Sequence, residues 1–281
     1  MEIVRESSFF KERGAFALPT PDEVRVLGAL TGDSRSEDFN RPPPVILPSL
    51  GLLVKYGADV TIVEARTQMM IHKQLQDQVL VPEVFGWAEE GGQRFIYMSY
   101  IEGDTLAERW PGLNERERRN VCKELRQMVY AWRTLEHGRQ GQYVGSLGGQ
   151  PLNEIFLRNH PALAGPFQGA GAVQHFQAGC GIDISPEVDT VFTHDDLVPC
   201  NIMLSSGPDP KVAAVIDWGQ AGWYPTYWEF CKARRVKLLP ECFDSGSQEE
   251  WHATYLPLIV DAVDEETYYH PWLWFFLSKG I

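Results

Sequence analysis

The stretch VFTHDDLVPCNIML, residues 191–204, places a histidine, two adjacent aspartates and an asparagine between two apolar runs that are typical of strands. Within it His194, Asp196 and Asn201 form the pattern HxDxxxxN. At average residue usage, this pattern arises by chance in roughly one or two of a hundred chains of similar length. Further along, in VAAVIDWGQAGW, Asp217 follows another apolar run and presents a carboxylate at a predicted strand end. These stretches predict a loop cluster that brings carboxylate and amide groups together.

Carboxylate and amide groups in this order fit the requirements of phosphoryl transfer from a nucleotide. An aspartate must orient the attacking hydroxyl and accept its proton, while an asparagine and a second aspartate hold Mg²⁺ against the phosphates. We therefore predict Asp196 as the catalytic residue. Asn201, placed on the returning strand, and Asp217 are predicted as the metal ligands, and their oxygen atoms favour Mg²⁺ over zinc.

Phosphoryl transfer of the kinase type also needs a lysine on a strand and a glutamate on the following helix. LGLLVKYG, residues 50–57, places Lys55 near the end of an apolar strand. VTIVEARTQ, residues 60–68, places Glu64 in the first turn of a predicted helix. The order of strand lysine, helix glutamate, HxDxxxxN and DWG is far more specific than any one of these motifs.

The order of the predicted elements indicates an α+β fold with two lobes of different character. Residues 1–103 combine short strands with one main helix, and residues 104–281 are mostly helical. The turn signal EEGGQ at 89–93 predicts a hairpin, and residues 98–104 follow it as a connector between the lobes. The strongest helix signal lies at 114–137, where an apolar stripe follows a capping box.

These stretches resemble the aminoglycoside phosphotransferase and choline kinase superfamily, in particular the fungal-type phosphotransferase enzyme family. The resemblance runs through most of residues 45–232 and includes VPEVFGW (81–87) and FIYMSYIEGDTLAERW (95–110). It implies a bilobal, protein-kinase-like fold: a small β-rich N-lobe with one main helix, a larger helical C-lobe, and ATP or GTP between the lobes. It also implies that Asp196 is the catalytic aspartate.

The same resemblance implies roles for residues of the first lobe. Lys55 would bind the α- and β-phosphates, and Glu64 would pair with that lysine. The backbone of four residues would line the adenine pocket: Met98, Ser99, Tyr100 and Ile101.

Two features depart from the family pattern. Relatives most often read HGD where this chain has His194, Asp195 and Asp196, so an extra carboxylate stands beside the catalytic one and is expected to raise one pKa by like-charge repulsion. In addition, no glycine-rich phosphate loop precedes Lys55. The loop that covers the phosphates is therefore expected within LTGDSRSEDFNRPPP (30–44), with Ser34 or Ser36 as candidate contacts.

Composition excludes some partners and favours others. With 38 acidic and 25 basic residues, the net charge of −13 argues against nucleic acid as a partner and favours a cationic over an anionic acceptor. The five cysteines are scattered and never form CxxC, so we expect a reducing, cytoplasmic setting. The longest apolar run is too short to span a membrane, so no membrane partner is expected.

Simpler interpretations exist for each of these residues. Lys55 can be a strand-end lysine with its ammonium in solvent, and Glu64 can serve only the capping box with Thr61. Asp196, Asn201 and Asp217 can be turn-forming residues at strand ends.

His194 is predicted to pack and bond to the backbone rather than act chemically. The tryptophans and tyrosines at 218, 223, 224, 227 and 228 are predicted to pack in the core. Two alternatives to a small-molecule phosphotransferase remain: a catalytically weak pseudokinase that acts as a nucleotide-binding or protein-binding scaffold, and a protein kinase.

Overall fold

The chain forms two compact units in the computed structural model, which describes residues 1–12 and 17–279. The first unit comprises Met1–Gln74 and Val81–Glu102, and the second comprises Leu75–Leu80 and Gly103–Ile281. No helix within the described residues is long and apolar enough to cross a membrane.

The first unit is built around one antiparallel sheet. Among the residues that the structure describes, its five strands are β1 (Glu2–Ile3), β2 (Val45–Leu47), β3 (Leu52–Gly57), β4 (Val84–Glu90) and β5 (Gln93–Ser99). Their order is β1-β4-β5-β3-β2. β2 and β3 pair as an antiparallel hairpin with Val45 opposite Val54.

The turn between β4 and β5 follows the chemistry predicted for EEGGQ. Gly91 and Gly92 adopt φ values of 61° and 81°, a region that is costly for residues with a Cβ. Two consecutive positive φ values suit the tight turns whose twist matches that of the flanking strands. Glu90 and Gln93 are the last residues paired across this hairpin.

The two faces of the sheet pack against different helices. The helices of this unit are α1 (Ser8–Lys11), α2 (Pro21–Leu30) and α3 (Ile62–Leu75). Val54 of β3 packs in a cluster with Val24 of α2, whereas Leu53 packs against a cluster that contains Ala65 of α3. Because successive strand residues point to opposite faces, Lys55 projects on the same side as Leu53. The lysine therefore faces α3.

Within the described part of the chain, the second unit contains seven short strands in three small sheets. The strands are β6 (Asp104–Thr105), β7 (Tyr143–Val144), β8 (Phe167–Gln168), β9 (Thr190–Thr193), β10 (Ile202–Leu204), β11 (Val212–Val215) and β12 (Gly222–Pro225). The sheets are β11-β10-β6, β12-β9 and β7-β8. The HxDxxxxN loop follows β9 and precedes β10, so it carries the chain from one small sheet to another.

Helices make up much of the rest of the second unit. They are α4 (Leu106–Arg109), α5 (Glu115–Arg133), α6 (Ala172–Cys180), α7 (Trp228–Arg235), α8 (Ser245–Glu250), α9 (Leu256–Ile259) and α10 (His270–Lys279). The predicted capping box of α5 is present, because Asn114 Oδ1 accepts from Glu117 N at 3.1 Å and Glu117 Oε2 accepts from Asn114 N at 2.9 Å. Val121, Leu125 and Trp132 form its buried stripe, as the sequence pattern predicted.

The aromatic residues near the DWG motif pack in the core, as predicted. Trp218, Trp223, Tyr224, Tyr227 and Trp228 are all at most 2% exposed. Trp228 begins α7, in which every residue up to Ala233 is buried. A β-rich unit with one main helix on its Lys55 face and a helix-rich unit together confirm the predicted α+β fold class.

Candidate active site

His194 holds the start of the HxDxxxxN loop through its two ring nitrogens. Nδ1 accepts a hydrogen bond from the backbone N of Asp196 at 3.1 Å. Nε2 must then carry the ring proton, which it donates to the carbonyl oxygen of Ile216 at 2.9 Å. The ring is fully buried and lies edge-on to Trp218, with centroids 4.5 Å apart. His194 is therefore the packed, backbone-bonding residue that was predicted.

The side-chain nitrogen of Asn201 donates two hydrogen bonds to Asp196. Nδ2 donates to the backbone oxygen of Asp196 at 2.9 Å and to its carboxylate Oδ2 at 3.1 Å. Asn201 ends the 3-10 turn Pro199–Asn201 and precedes β10, so its predicted place on the returning strand was wrong by one residue. The turn is needed because only a tight reversal brings residue 201 back to residue 196. With the nitrogen engaged, the amide oxygen is the atom left to bind a metal.

Asp217 lies two residues beyond β11 and opens the 3-10 turn Trp218–Gln220. Its backbone is left-handed, with φ 61° and ψ 63°, which costs a residue with a Cβ roughly 1–2 kcal/mol. The preceding residue, Ile216, donates its N–H to the backbone oxygen of Asn201 at 2.9 Å. This bond aligns the two predicted metal ligands on neighbouring backbone segments.

The carboxyl group of Asp196 is electrostatically coupled to that of Asp217. Burial raises the pKa of Asp196 and the Asp217 carboxylate raises it further, while Lys232, His194 and Asn201 act in the opposite direction. Two carboxylates that disfavour each other's ionised form make a site that a divalent cation would relieve.

Asp195 adopts a left-handed backbone conformation that favours glycine. Its φ is 65°, in the left-handed region where glycine has no steric cost. Its N–H donates to Glu229 Oε1 at 2.9 Å, and both residues are 1% exposed. Glu229 therefore has a structural role, because it accepts the backbone N–H of Asp195.

The side chain of Asp195 joins a buried network with Lys232 and Glu154. Lys232 Nζ lies 3.1 Å from Asp195 Oδ2 and 2.6 Å from Glu154 Oε2. Burial raises the pKa of Asp195 well above its ordinary value, the Glu154 carboxylate adds to this, and Lys232 opposes it. Burial is the largest influence on the pKa of Glu154 and would raise it, but the charge of Lys232 together with hydrogen bonds from Asp195, Lys232 and the backbone of Phe156 lowers it overall. Asp195, Glu154 and Lys232 therefore form one buried cluster in which the lysine lies between the two carboxyl groups.

The prediction that repulsion between Asp195 and Asp196 raises a pKa was wrong about which carboxylates interact. The carboxylate that raises the pKa of Asp195 is Glu154, and the one that raises the pKa of Asp196 is Asp217. The reason is geometric, since the left-handed backbone at Asp195 sends its side chain into the Lys232 network.

Sequence reasoning missed Lys232, Glu154 and Gln220. A signal for the lysine does exist: Glu229 and Lys232 are the only charged residues in WEFCKA, an otherwise apolar helical turn. Their i, i+3 spacing places both on one face of a helix. No local pattern marks Glu154, because its partner lies 78 residues away.

In the first unit, Lys55 and Glu64 form the predicted ion pair. Lys55 Nζ donates to Glu64 Oε1 at 2.8 Å and to Oε2 at 3.0 Å. The carboxylate is 3% exposed and the lysine side chain 29%. Thr61 Oγ1 also accepts from Glu64 N at 3.3 Å, so the capping interaction coexists with the ion pair.

The predicted adenine-pocket segment begins inside the sheet. Met98 pairs with Leu53 on one side and Val84 on the other. Ser99 N donates to Glu83 O at 2.8 Å, and Tyr100 N donates to Gly51 O at 2.9 Å. Three of the four predicted residues thus use their backbone within this unit, and Ile101 follows the last of these bonds.

The segment expected to cover the phosphates is irregular between α2 and β2. Ser36 N donates to Asp33 O at 2.9 Å, and Ser36 Oγ lies 3.1 Å from Thr31 Oγ1. Closer to β2, Phe39 O accepts from Ala58 N at 3.1 Å. The segment therefore contacts the chain just after the end of β3, at Ala58, which follows Lys55 by three residues.

A magnesium ion fits the donor set of the HxDxxxxN loop and the DWG turn. The set offers carboxylate and amide oxygens, which Mg²⁺ prefers, and leaves room for the water and phosphate ligands that it retains. Within the described ranges, no group of three or more His, Cys, Asp or Glu residues is arranged to hold a metal by itself. The set therefore suits a metal that arrives with a phosphate-bearing substrate.

Comparison with solved structures identifies the fold. An aminoglycoside-3'-phosphotransferase of type VIII is 18% identical over 80% of this chain and 85% of that protein, with a TM-score of 0.51. The aminoglycoside phosphotransferase APH(3'')-Id from Streptomyces rimosus is 16% identical over 89% of this chain and 95% of that protein, also with a TM-score of 0.51. The same Streptomyces protein in complex with ADP and streptomycin gives 17% identity and a TM-score of 0.48.

Comparison with protein families identifies the chain itself. None of the curated protein sequences matches it. Residues 54–258 match the profile of the phosphotransferase enzyme family, a span that begins next to Lys55 and includes both the HxDxxxxN loop and the DWG turn. The chain belongs to the phosphotransferase enzyme family.

Proposed function

We propose that this protein transfers the γ-phosphoryl group of ATP or GTP to a hydroxyl group of a small molecule. The observation that carries this proposal is the pair of hydrogen bonds that Asn201 Nδ2 donates to the backbone oxygen and to Oδ2 of Asp196, at 2.9 and 3.1 Å. It fixes a carboxylate and leaves an amide oxygen for a metal, which is the arrangement that phosphoryl transfer requires. Family membership supports the same reaction class.

Asp196 is the residue to which we assign the proton transfer. Its Oδ2 is engaged by Asn201, so Oδ1 is the oxygen that accepts the proton of the acceptor hydroxyl. Asn201 Oδ1 and the Asp217 carboxylate would hold Mg²⁺, which neutralises the phosphate charge when bound. Fixed groups of this kind accelerate the reaction because they need no reorganisation as charge develops.

Lys55 is the residue to which we assign phosphate binding. The bidentate contact with Glu64 fixes the direction of its ammonium group. The ammonium is still partly accessible, because 29% of the lysine side chain is exposed while the glutamate is buried. A lysine whose ammonium direction is fixed in this way, on a strand followed by the helix of its glutamate, suits the binding of phosphate oxygens in phosphoryl transfer. We place Met98, Ser99, Tyr100 and Ile101 at the adenine ring, with Ile101 providing the backbone contact.

The acceptor we propose is a hydroxylated molecule that carries amino groups. The net charge of −13 favours a cationic partner. The Streptomyces rimosus protein of the same fold is itself an aminoglycoside phosphotransferase, solved with ADP and streptomycin. We further propose a cytoplasmic setting, where the nucleotide is abundant.

The pseudokinase alternative is motivated by Asp195 beside Asp196 and by the missing glycine-rich loop. The first of these motives is weakened, because the Asp195 side chain bonds to Lys232 at 3.1 Å. No contact among the described residues specifically favours the protein-kinase alternative.

The proposal is tested in two steps on the full chain. First, thermal unfolding is measured with ATP or GTP, each with and without MgCl₂; we expect stabilisation that depends on the metal. Second, ADP or GDP release is measured with a panel of hydroxylated amines, including aminoglycosides, and the phosphorylated product is identified by mass. Absence of stabilisation at millimolar nucleotide contradicts the proposal and favours a scaffold. Release with a generic protein acceptor alone contradicts the choice of a small molecule.

A further inference from the structure

Lys232 connects three segments of the second unit through one buried ammonium group. Its Nζ donates to Glu154 Oε2 at 2.6 Å, to Gln220 Oε1 at 2.8 Å and to Asp195 Oδ2 at 3.1 Å. An ammonium carries three protons, so each proton has one acceptor. Lys232 is only 2% exposed, so solvent does not compete for these bonds.

Two of the three acceptors belong to the loops that carry the residues assigned to the reaction. Asp195 precedes Asp196, and Gln220 ends the turn that Asp217 opens. The ammonium group of Lys232 therefore joins the two loops by side-chain contacts at a single point.

The third acceptor belongs to a segment that also holds the DWG turn. Asn153 Nδ2 donates to Gly219 O at 2.8 Å, and Ile155 N donates to Gln220 Oε1 at 2.9 Å. Glu154 lies between these two residues and accepts from Lys232. The turn is thus held on one side by residues 153–155 and on the other by Lys232.

Two residues of helix α7 form hydrogen bonds with Asp195. Glu229 accepts from its backbone N at 2.9 Å, and Lys232 donates to its carboxylate at 3.1 Å. Because Glu229 and Lys232 are one helical turn apart, their spacing is set by the helix. The helix therefore holds both the backbone and the side chain of the residue before Asp196.

We propose that Lys232 is a positioning residue that fixes the turn of Asp217 relative to the loop of Asp196. This inference rests on the proposed function, since the two carboxylates must act on one phosphoryl group. Direct hydrogen bonds between the loops exist at His194–Ile216 and Ile216–Asn201, but they hold the residue before the turn, whereas Lys232 joins the loop of Asp196 to the far end of the turn. A displacement of about 1 Å in such a site can cost about a hundredfold in rate.

Hydrogen exchange on the full chain tests the connection without any need for activity. In Lys232→Met, amide exchange is expected to rise about tenfold or more in residues 194–198 and 217–220, because both lose the same anchor. Exchange in the core of α5, residues 121–132, is expected to stay unchanged. Unchanged exchange in the two loops overturns the proposal, and so does a uniform rise that includes α5, because it indicates general destabilisation.

Three further variants make the result specific. Gln220→Met removes the contact with Lys232, together with the one from Ile155 N, without changing charge, so exchange should rise at 217–220 and not at 194–198. Asp195→Gly cuts the other arm and suits the φ of 65°, so exchange should rise only at 194–198. Arg234→Met is the matched control, because it removes a cation of the same helix that pairs instead with Glu265 at 2.9 Å.

These variants also cover the case in which Lys232→Met does not fold. If neither Gln220→Met nor Asp195→Gly changes exchange in its own loop, the proposal fails.

Steady-state hydrolysis of MgATP, with water as the acceptor, gives the kinetic readout. Lys232→Met is expected to lower kcat about tenfold or more while the KM for MgATP stays within about twofold, because the groups bind but are misaligned. An unchanged kcat with faster exchange overturns the positioning role. If the wild-type chain neither hydrolyses nor is stabilised by MgATP or MgGTP, the proposed function fails, while the exchange experiment still decides whether Lys232 holds the two loops.

Discussion

Asn201 donates one amide nitrogen to both the backbone oxygen and the carboxylate of Asp196, at 2.9 and 3.1 Å. A single side chain therefore fixes the position and the rotation of the carboxyl group. The same contact turns the amide oxygen of Asn201 away from Asp196. The catalytic assignment of Asp196 and the metal-binding assignment of Asn201 therefore both depend on this one contact.

Asp196→Asn is expected to reduce turnover by about two to four orders of magnitude, because the amide cannot accept the proton of the acceptor hydroxyl. Magnesium-nucleotide binding should stay close to wild type, since Asn201 and Asp217 are retained. Nucleoside diphosphate release and thermal shift measure the two effects. The exposed Asp183→Asn serves as the control, and turnover at the wild-type level in Asp196→Asn contradicts the assignment.

Asp217→Asn is expected to remove most of the magnesium dependence of nucleotide binding, because one of the two metal ligands loses its charge. A titration of MgCl₂ at fixed ATP, followed by thermal unfolding, measures this effect. Asn201→Ala should show the same loss and should also free the Asp196 carboxyl group. A half-saturating magnesium concentration equal to that of wild type in both variants argues against a metal at these residues.

Lys55→Met leaves the buried Glu64 carboxylate without its lysine, which is expected to cost about 1–3 kcal/mol of unfolding free energy. It should also raise the KM for ATP, because the phosphate-binding cation is lost. The double variant Lys55→Met, Glu64→Gln separates the two effects. Removing the charge of residue 64 should recover stability but not nucleotide affinity. Recovery of both indicates that Lys55 is only a structural partner of Glu64.

The pKa of Asp196 predicts how stability changes with pH in the absence of metal. Its folded-state pKa is raised above the ordinary value of 3.8, chiefly by burial and then by Asp217. The folded state therefore binds this proton more tightly than the unfolded state, so the group destabilises the protein fully above its folded pKa and not at all below about 3.8.

Asp196→Asn should accordingly raise the melting temperature at neutral pH in EDTA. The gain should shrink as the pH falls through the folded pKa of Asp196 toward 3.8, its ordinary value. Adding magnesium and nucleotide to the wild type should also reduce the difference, because the cation favours the ionised carboxylate. A gain that is independent of pH shows that the effect is not electrostatic.

Local sequence patterns predicted much of the fold. EEGGQ predicted the hairpin because two consecutive glycines accept positive φ, and the Asn114–Glu117 capping box predicted the start of α5. The pairing of Lys55 with Glu64 was implied by the family resemblance and fits their order on a strand and the next helix. In the hairpin and the capping box the interacting groups are close in sequence, so spacing along the chain is enough to predict the contact.

The sequence by itself therefore determined which residues carry the proposed chemistry: Asp196, Asn201, Asp217 and Lys55. Only the tertiary structure decided what Asp195 does. Its left-handed backbone directs the carboxyl group away from Asp196 and toward Lys232, 37 residues later in the chain. Lys232 in turn reaches Glu154, 78 residues earlier. No periodicity or motif encodes such contacts, because they depend on how separate segments pack around one buried charge.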